Sequence, residues 1–463
     1  MIKTLVNAWK TVDLRKKILF TLFILLVYRV GACITVPFIS FGGIEQATAG
    51  ASMGLTNIFQ MLGYSSADSV FGDSVGVNTM ITLMSGSAFS QATLFALGVQ
   101  PYITASIVMQ LLAVAIPSLE RLAKSEDGKN KINSITRYVT IALALVSSIG
   151  YYLMLKQVNA VYEDGFFFAV VIIACFIAGS SLVMWLGEKI NEHGIGNGIS
   201  LILFANIVSR APALFVSLYQ MVTAPFSKNE IVASEVIGSL LYAILMSAFV
   251  LFLLWFIIFI SDSERRIPVQ YAKKVVGRKM YGGQNTNLPI KLNMTGVMPV
   301  IFASTILNLP QTLNYFLSGK TWWSKFYSLW NGGLNPVSII LNLICILAFA
   351  YFYVAISFNP VEVAGNLQKN GGSIPGIRPG RPTSDFIKKV LSKITFIGAL
   401  CLSVIAVVPT IIQYILGLCG STLFIQDYVF AGTSIIIVVG VILETVKEIE
   451  TQMSMRHYKG FLE

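Results

Sequence analysis

The sequence has few charged residues, two histidines and no closely spaced cysteines, and each scarcity argues against a class of function. Only 12% of the 463 residues are charged, whereas 55% are hydrophobic, so the chain is far more apolar than a soluble domain. The five cysteines are scattered in or beside apolar runs, and neither they nor His193 and His457 form a ligand-like group. We therefore expect no metal site, no disulfide and no histidine catalysis.

Nucleotide chemistry is also not expected. A glycine-rich phosphate-binding loop of the Walker type does not occur in the sequence. The chain is therefore predicted to have no cofactor and no enzymatic activity of its own, and any work it performs must be driven by partners.

Long hydrophobic runs occupy most of the chain. A helix needs about 20 mostly apolar residues to cross the hydrocarbon core of a bilayer. Ten such runs predict an all-α integral membrane protein with ten transmembrane helices, and the ten-residue alternation of a membrane barrel is missing. The runs cover approximately residues 18–37, 93–117, 138–156, 166–187, 197–217, 235–261, 295–317, 336–358, 390–417 and 428–446.

The placement of lysine and arginine predicts the orientation in the membrane. Most of the 33 basic residues lie near the chain ends or in the segments after the second, fourth, sixth and eighth runs. The other side receives only Lys156, Arg210, Lys228, Lys320 and Lys325. By the positive-inside rule, both termini are expected in the cytoplasm.

A short motif occurs twice. Residues 98–106 and 296–304 share the pattern Gly-Val-x-Pro-x-Ile-x-Ala-Ser, with six of nine positions identical. The copies lie on the second and seventh runs, which cross the membrane in opposite directions. Chance is one explanation in so biased a composition, but equivalent positions in two antiparallel runs favour an inverted repeat of two five-helix halves.

The deep parts of the predicted spans contain one ionisable residue, Arg29. Ion-coupled transporters and proton relays place Asp, Glu or His there, whereas Arg29 is expected to have a structural role, either snorkelling towards the membrane surface or pairing with backbone carbonyls. An inverted-repeat transporter for a small solute remains one candidate, to be weighed against the function that a family resemblance implies.

Two predicted cytoplasmic segments, residues 262–292 and 359–389, are longer than topology requires. The first alternates apolar and polar residues before Gly282-Gly283, which predicts a protruding hairpin. Both are basic, which fits either contact with anionic lipid or docking of an acidic or nucleic-acid-bearing partner.

Seven stretches carry a resemblance to a known family. They are residues 95–112, 131–138, 187–200, 265–274, 293–299, 375–380 and 432–434. Through them the sequence resembles the SecY family of bacterial protein-conducting channels, and the match extends over most of the chain.

The resemblance implies a clamshell around an hourglass pore. Its halves would be residues 1–217 and 235–463, joined by an external hinge region at 218–234. The waist of the pore would be an aliphatic ring of Val99, Ile103, Ile199, Leu203, Ile301 and Ile437. The second and seventh helices would form a lateral gate, with Gln110 and Asn308 as polar contacts.

A plug is also implied, at about residues 78–91. The residues assigned to it are Met80, Leu83, Met84, Ser85, Gly86, Ser87, Ala88 and Phe89. The usual Ser-Gly-Gly-Ala of the family reads Ser-Gly-Ser-Ala at 85–88, and residues 41–77 are longer than the common pattern. The start of the plug is therefore the least defined part of this prediction.

The partners are implied by the same resemblance. SecE and SecG would be accessory subunits in the bacterial cytoplasmic membrane, and signal peptides and unfolded polypeptides would be the substrates. The SecA motor ATPase or the ribosome would dock on the basic loops, at Arg265, Arg266, Lys273, Lys274, Arg378 and Arg381.

Overall fold

The computed structural model describes most of the chain, and helices dominate the described residues. These residues are 9–39, 88, 92–125, 128–157, 160–161, 165–209, 233–271, 274–276, 279–281, 285–294, 296–317, 321–331, 336–418 and 431–459. Each of the ten predicted hydrophobic runs overlaps a helix of this part of the chain. Five helices among the described residues are long and apolar enough to cross a membrane by length and composition.

The helices of the described residues are numbered in chain order. They are α1 (Val12–Gly31), α2 (Gln100–Ala115), α3 (Pro117–Lys124), α4 (Gly128–Gln157), α5 (Phe166–His193), α6 (Gly198–Ser209), α7 (Ala233–Asp262), α8 (Met298–Leu317), α9 (Thr321–Asn331), α10 (Pro336–Ser357), α11 (Pro360–Lys369), α12 (Arg381–Leu418) and α13 (Ala431–Lys459). The strands are β1 (Glu264–Tyr271), β2 (Lys274–Val276), β3 (Lys279–Tyr281), β4 (Asn285–Lys291) and β5 (Gly372–Ser373).

Several helix ends differ from the predicted ends of the runs. The first run was placed at 18–37, but α1 ends at Gly31 and the chain then turns, so that Thr35 forms a bridge with Thr93. The second run therefore also begins as irregular backbone, and α2 starts only at Gln100. Hydropathy detects apolar residues whatever their backbone conformation, which is why both runs were predicted too long at this junction.

Two other helices extend beyond their apolar runs at polar ends. α13 continues to Lys459, past the predicted limit at 446, and α4 begins at Gly128, before the predicted 138. Lys, Glu, Gln and Arg have high helix propensity, so these helices continue after the apolar pattern stops. Arg29 lies in the last turn of α1 and is half-buried, a position that suits the snorkelling predicted for it.

The ten main helices form two groups with the same packing pattern. In the first group α4 lies between α2 and α5, α5 contacts α6, and α1 contacts both α5 and α6. In the second group α10 lies between α8 and α12, α12 contacts α13, and α7 contacts both α12 and α13. These helix pairings follow the same order in both groups, which confirms the prediction of two repeated five-helix halves.

The halves meet along two seams between equivalent helices. α2 contacts α8 at one seam, and α6 contacts α13 at the other. When a pseudo-two-fold axis relates two halves, a helix next to the axis is expected to contact its own counterpart in the other half. The first seam also includes contacts of α8 with α4.

The two basic segments form one small sheet with strand order β4-β1-β5. β1 pairs antiparallel with β4 from Glu264↔Lys291 to Gln270↔Asn285, which confirms the predicted hairpin. β5 then joins the other edge of β1 through Gln270↔Ser373. Ile267 and Val269 point into a core while their neighbours are exposed, as the alternating sequence requires.

The sheet defines one face of the molecule, called here the sheet face. α7 ends and α8 begins beside it, and Lys291 of β4 lies next to Lys447 of α13. The start of α1 is on the same face, because Lys17 donates to Gln452 Oε1 of α13 at 3.3 Å. The described ends of the chain therefore share a side, as an even number of spans predicts.

Candidate functional site

The repeated motif has the same backbone conformation in both copies. Gly98 and Gly296 have φ of +53° and +62°, a region that glycine adopts without strain. α2 and α8 each begin two residues later, with Pro101 and Pro299 as second residue, where the missing proline N–H is not needed. The motif is therefore a turn followed by a helix start in the interior of the protein.

The first helical hydrogen bonds of the two copies also correspond. Ile103 N donates to Val99 O at 3.0 Å, and Ile301 N donates to Val297 O at 3.2 Å. Ile103 and Ile301 are 5% and 4% exposed. The two isoleucines thus sit at matching places in matching turns, buried on the two helices of one seam.

All six residues predicted for the ring belong to one hydrophobic cluster. Five of them are buried members of it, and Ile199 is half-buried and packs against it; the five are Val99, Ile103, Leu203, Ile301 and Ile437. The ring residues lie on or directly before α2, α6, α8 and α13, the helices of the two seams, and the cluster extends from them to other main helices of both groups. The centre of the molecule is therefore filled with aliphatic side chains.

A second repeat orders the other two ring helices, and the sequence reasoning missed it. The start of α6 packs Gly198 on the Gly187 carbonyl of α5, and the start of α13 packs Gly432 on the Ala406 carbonyl of α12. Both helices begin with a Gly-x-Ser sequence, and Leu203 and Ile437 each follow the glycine by five residues.

The repeat adds two positions to the predicted ring. Val297 is the counterpart of Val99, and Thr433 is the counterpart of Ile199; both are buried. Each of these positions directly follows the glycine of its repeat, as does its counterpart, and this equal spacing is the sequence signal that identifies Val297 and Thr433.

The predicted plug lies almost wholly outside the described residues. Of its members only Ala88 is described; Met80, Leu83, Met84, Ser85, Gly86, Ser87 and Phe89 are not. Ala88 is fully buried in the same cluster as the ring residues. Its carbonyl accepts two hydrogen bonds from Thr93, one from the backbone N at 3.1 Å and one from Oγ1 at 3.3 Å.

The two predicted polar contacts of the gate have different outcomes. Gln110 is exposed on α2 and donates to Ser106 Oγ of its own helix at 3.3 Å. The side chain of Asn308 lies outside what the structure describes. The contact of α2 with α8 is present, whereas a role for these amides in it stays a prediction.

The predicted docking residues lie on and beside the small sheet. Arg265 and Arg266 are exposed on β1, and Arg266 Nε is 2.7 Å from Glu264 Oε1. Arg378 and Arg381 are exposed in the turn before α12 and at its first residue. Because β5 pairs with β1, the sheet unites the two basic segments. Lys273 and the side chain of Lys274 lie outside the described part of the chain.

Two lysines of the sheet face, Lys291 and Lys447, lie close together. A hydrogen bond donated by Lys447, partial burial and repulsion by the Lys447 charge all lower the pKa of Lys291 below the usual lysine value. Asp262 and Glu264 act in the opposite direction. Together with the exposed Arg265, Arg378 and Arg381, these lysines give the face a basic surface suited to an anionic partner.

Comparison with known proteins assigns the family. A family model described as SecY matches residues 93–446. The chain belongs to the SecY family. The protein translocase subunit SecY of Streptomyces galbus is 40% identical over 474 residues, and that of Mycobacterium tuberculosis H37Rv is 40% identical over 478 residues; each alignment covers all of both chains.

Solved structures agree with the fold. A structure of a protein-conducting channel matches with TM-score 0.60 at 16% identity, covering 95% of this chain and 92% of that one. Sec61 from the canine ribosome–channel complex matches with TM-score 0.57, also at 16% identity, with the same coverage. The resemblance found in the sequence is thereby confirmed: the chain is a multi-pass membrane protein of a channel family and not an enzyme.

Proposed function

We infer that this chain is the channel-forming subunit of a protein translocase, through which secretory polypeptides cross the membrane and apolar segments leave into the lipid. The observation that carries this function is the full-length identity of 40% with protein translocase subunits SecY. The two-seam architecture of the described helices supports it, because a passage between two halves can widen without unfolding either half.

The six-residue ring is proposed as the seal of the pathway. A narrow apolar constriction excludes water and ions by dewetting, yet aliphatic side chains deform around a passing polypeptide of any sequence. The burial of Ile103, Leu203, Ile301 and Ile437 supports a sealed arrangement. Charged residues at this point would fix a preference for particular substrates, which a general channel must avoid.

The seam between α2 and α8 is proposed as the lateral gate. Separating these helices exposes apolar surface of both, at a cost of about 25 cal/mol per Å². A hydrophobic signal sequence placed between them restores the lost contacts and so lowers the cost of opening. Selection of signal sequences by hydrophobicity follows directly from this exchange.

The opposite seam, between α6 and α13, is proposed to stay closed as the hinge side. α6 and α7, the described helices before and after the passage from one half to the other, both contact α13, and we assign the halves to residues 1–217 and 235–463. The proposed hinge at 218–234 lies almost entirely outside the described residues. At the entry to α6, a Cβ added to Gly196 would lie 3.3 Å from Thr445 Oγ1 of α13, and this close approach across the seam supports a tight hinge side.

The sheet face is proposed as the docking site for the ribosome or for the SecA motor ATPase. Exposed Arg265, Arg266, Arg378 and Arg381 support this, since arginine binds phosphate and carboxylate groups in bidentate fashion. The similar Sec61 structure comes from a ribosome–channel complex. With this partner on the sheet face, both termini lie in the cytoplasm of a bacterium, and SecE and SecG are the expected accessory subunits.

Reconstitution in vesicles tests the function. The purified protein with its partners is expected to move a radiolabelled precursor into a protease-protected lumen. Saturable uptake of a small solute without precursor transport would instead support the transporter class.

A further inference from the structure

The short helix α9 lies on the side of the molecule opposite the sheet face. It follows α8, which starts beside β4, and precedes α10, whose chain returns to β5. Its 11 residues, Thr-Trp-Trp-Ser-Lys-Phe-Tyr-Ser-Leu-Trp-Asn, include three tryptophans, one phenylalanine and one tyrosine. Neither the ring, the plug nor the docking surface makes use of this helix.

One side of α9 grips α8 with two indole groups. Trp323 Nε1 donates to Asn314 Oδ1 at 3.0 Å, and Trp330 Nε1 donates to the Leu307 carbonyl at 3.1 Å. The two tryptophans are seven residues apart, as are their two acceptors, and the order is reversed. The helices therefore lie antiparallel, joined at two points separated by about two turns.

The inner contact, from Trp330 to the Leu307 carbonyl, falls beside a proline of α8. Pro310 lies inside α8 and lacks the N–H that would continue the helical hydrogen bonds. A proline of this kind kinks a helix and opens carbonyls in the preceding turn to other donors. The Leu307 carbonyl is in that turn, so the Trp330 indole donates to α8 in the turn that the proline affects.

The other side of α9 is aromatic and exposed. Trp322 is 62% exposed and Phe326 is 40% exposed, and Lys325 between them is exposed as well. Ring contacts continue inward, because Trp322 packs on Trp323 at 5.7 Å between centroids and Phe326 packs on Trp330 at 5.6 Å. The exposed aromatic residues are thus in direct contact with the two that hold α8.

The bilayer is the partner that fits this surface. α9 is joined to α8 by residues 318–320 and to α10 by 332–335, so it must lie where these two helices reach the membrane surface. Amphipathic helices with tryptophan on one side and lysine near the rim lie in the interface between headgroups and acyl chains.

We propose that α9 is a lipid-facing anchor. It inserts Trp322 and Phe326 into the headgroup interface of the leaflet opposite the sheet face, and it holds α8 in place through Trp323 and Trp330. If α8 is a wall of the lateral gate, the anchor opposes gate opening; this part of the proposal rests on the proposed function. Lipid packing at the outer surface then influences how readily the gate opens.

Fluorescence quenching tests the lipid contact. The full chain and Trp322→Phe are reconstituted in vesicles of phosphatidylcholine brominated either near the headgroup or near the chain end. Shallow bromines are expected to quench the full chain more than Trp322→Phe, and deep bromines to show a smaller difference. Trp185→Phe, in α5, is the control for loss of another exposed tryptophan. Equal shallow quenching of the full chain and Trp322→Phe would overturn the lipid contact.

Distance measurements test the hold on α8. Spin labels are attached to cysteines that replace Val108 of α2 and Leu309 of α8, in a chain without other cysteines. Pulsed electron paramagnetic resonance then gives the distance between the two labels. Trp323→Phe and Trp330→Phe each keep an aromatic ring but remove the N–H donor. Each is expected to raise the fraction of molecules with widely separated labels about two- to tenfold.

Trp185→Phe is expected to leave the distance distribution unchanged. Distributions unaltered in both Trp323→Phe and Trp330→Phe would contradict the anchor. The distance measurement uses no precursor, so it tests the anchor independently of the channel function. A protein that transports no precursor can still show the change in distance between the labels.

Discussion

The backbone carbonyl of Leu94 packs directly on the Cα of Gly179, and the carbonyl of Leu292 packs in the same way on Gly398. Leu94 precedes α2 and Leu292 precedes α8, the two helices of the proposed lateral gate, each by six residues. The two glycines lie on equivalent helices, α5 and α12. The inverted repeat therefore extends to the contact that holds the entry of each gate helix against its own half.

A methyl group at either glycine is predicted to destabilise the protein. A Cβ at Gly179 or Gly398 would overlap a backbone carbonyl, which cannot move away as a side-chain end can. Gly179→Ala and Gly398→Ala are each expected to cost about 1–3 kcal/mol, measured as a lower Tm of the purified protein.

Gly365→Ala is the matched control for these substitutions. Gly365 is also helical, in α11, but nothing lies within 4 Å of its added Cβ. This change should stabilise by roughly 0.5–1 kcal/mol through helix propensity. Equal Tm values for Gly179→Ala, Gly398→Ala and Gly365→Ala would show that the close packing is unimportant.

A polar residue in the ring is predicted to let ions pass. Ile301→Asn places an amide in the aliphatic constriction and stabilises water there, so resting ion conductance should rise roughly tenfold, equivalent to about 1.4 kcal/mol of barrier. Planar-bilayer recording measures this change. Ile301→Leu keeps the ring apolar and should remain tight; a leak of the same size in both variants would argue against dewetting as the seal.

Loss of one hydroxyl is predicted to loosen the plug. Thr93→Val preserves the shape of the side chain but removes the bond from Oγ1 to the Ala88 carbonyl, worth about 0.5–1.5 kcal/mol. Resting ion leak should therefore increase by a few-fold without loss of precursor transport. Thr451→Val, which removes a hydroxyl on the exposed part of α13, is the control. If its ion leak equals that of Thr93→Val, the contact between Thr93 and Ala88 does not hold the plug.

Charge reversal on the sheet is predicted to weaken docking. Arg266→Glu and Arg378→Glu replace exposed cations on the sheet face, so affinity for ribosomes or SecA should fall by about tenfold at low salt and less at high salt. Co-sedimentation over a salt series measures the effect. Lys156→Glu makes the same charge change at the far end of α4; if it weakens binding equally, net charge and not the sheet face governs docking.

The sequence predicted most of the architecture because hydropathy and charge placement act locally. Ten helices and the β1–β4 hairpin follow from such patterns. The pairing of Gln270 with Ser373 does not, because two short polar segments far apart in the chain give no local signal for it. The packing of Gly187 against Gly198 and of Ala406 against Gly432 was equally invisible, since it depends on how close two helix backbones come.

The site was predictable in part. Ile103 and Ile301 were marked by the repeated motif itself, whereas Ile199, Leu203 and Ile437 came from the family resemblance. Trp323 and Trp330 were missed, because a tryptophan at a membrane surface is ordinary and only geometry shows that each donates to α8.

Photocrosslinking from the proposed ring tests the central claim most directly. A photoreactive amino acid replaces Ile103 or Ile301, and a radiolabelled precursor is stalled in transit through the reconstituted channel. Both positions are expected to crosslink to the precursor, whereas the same probe at Ile344, which is exposed on α10, should react only with lipid. Crosslinking from Ile344 but from neither ring position would contradict a pathway through the centre of the two halves.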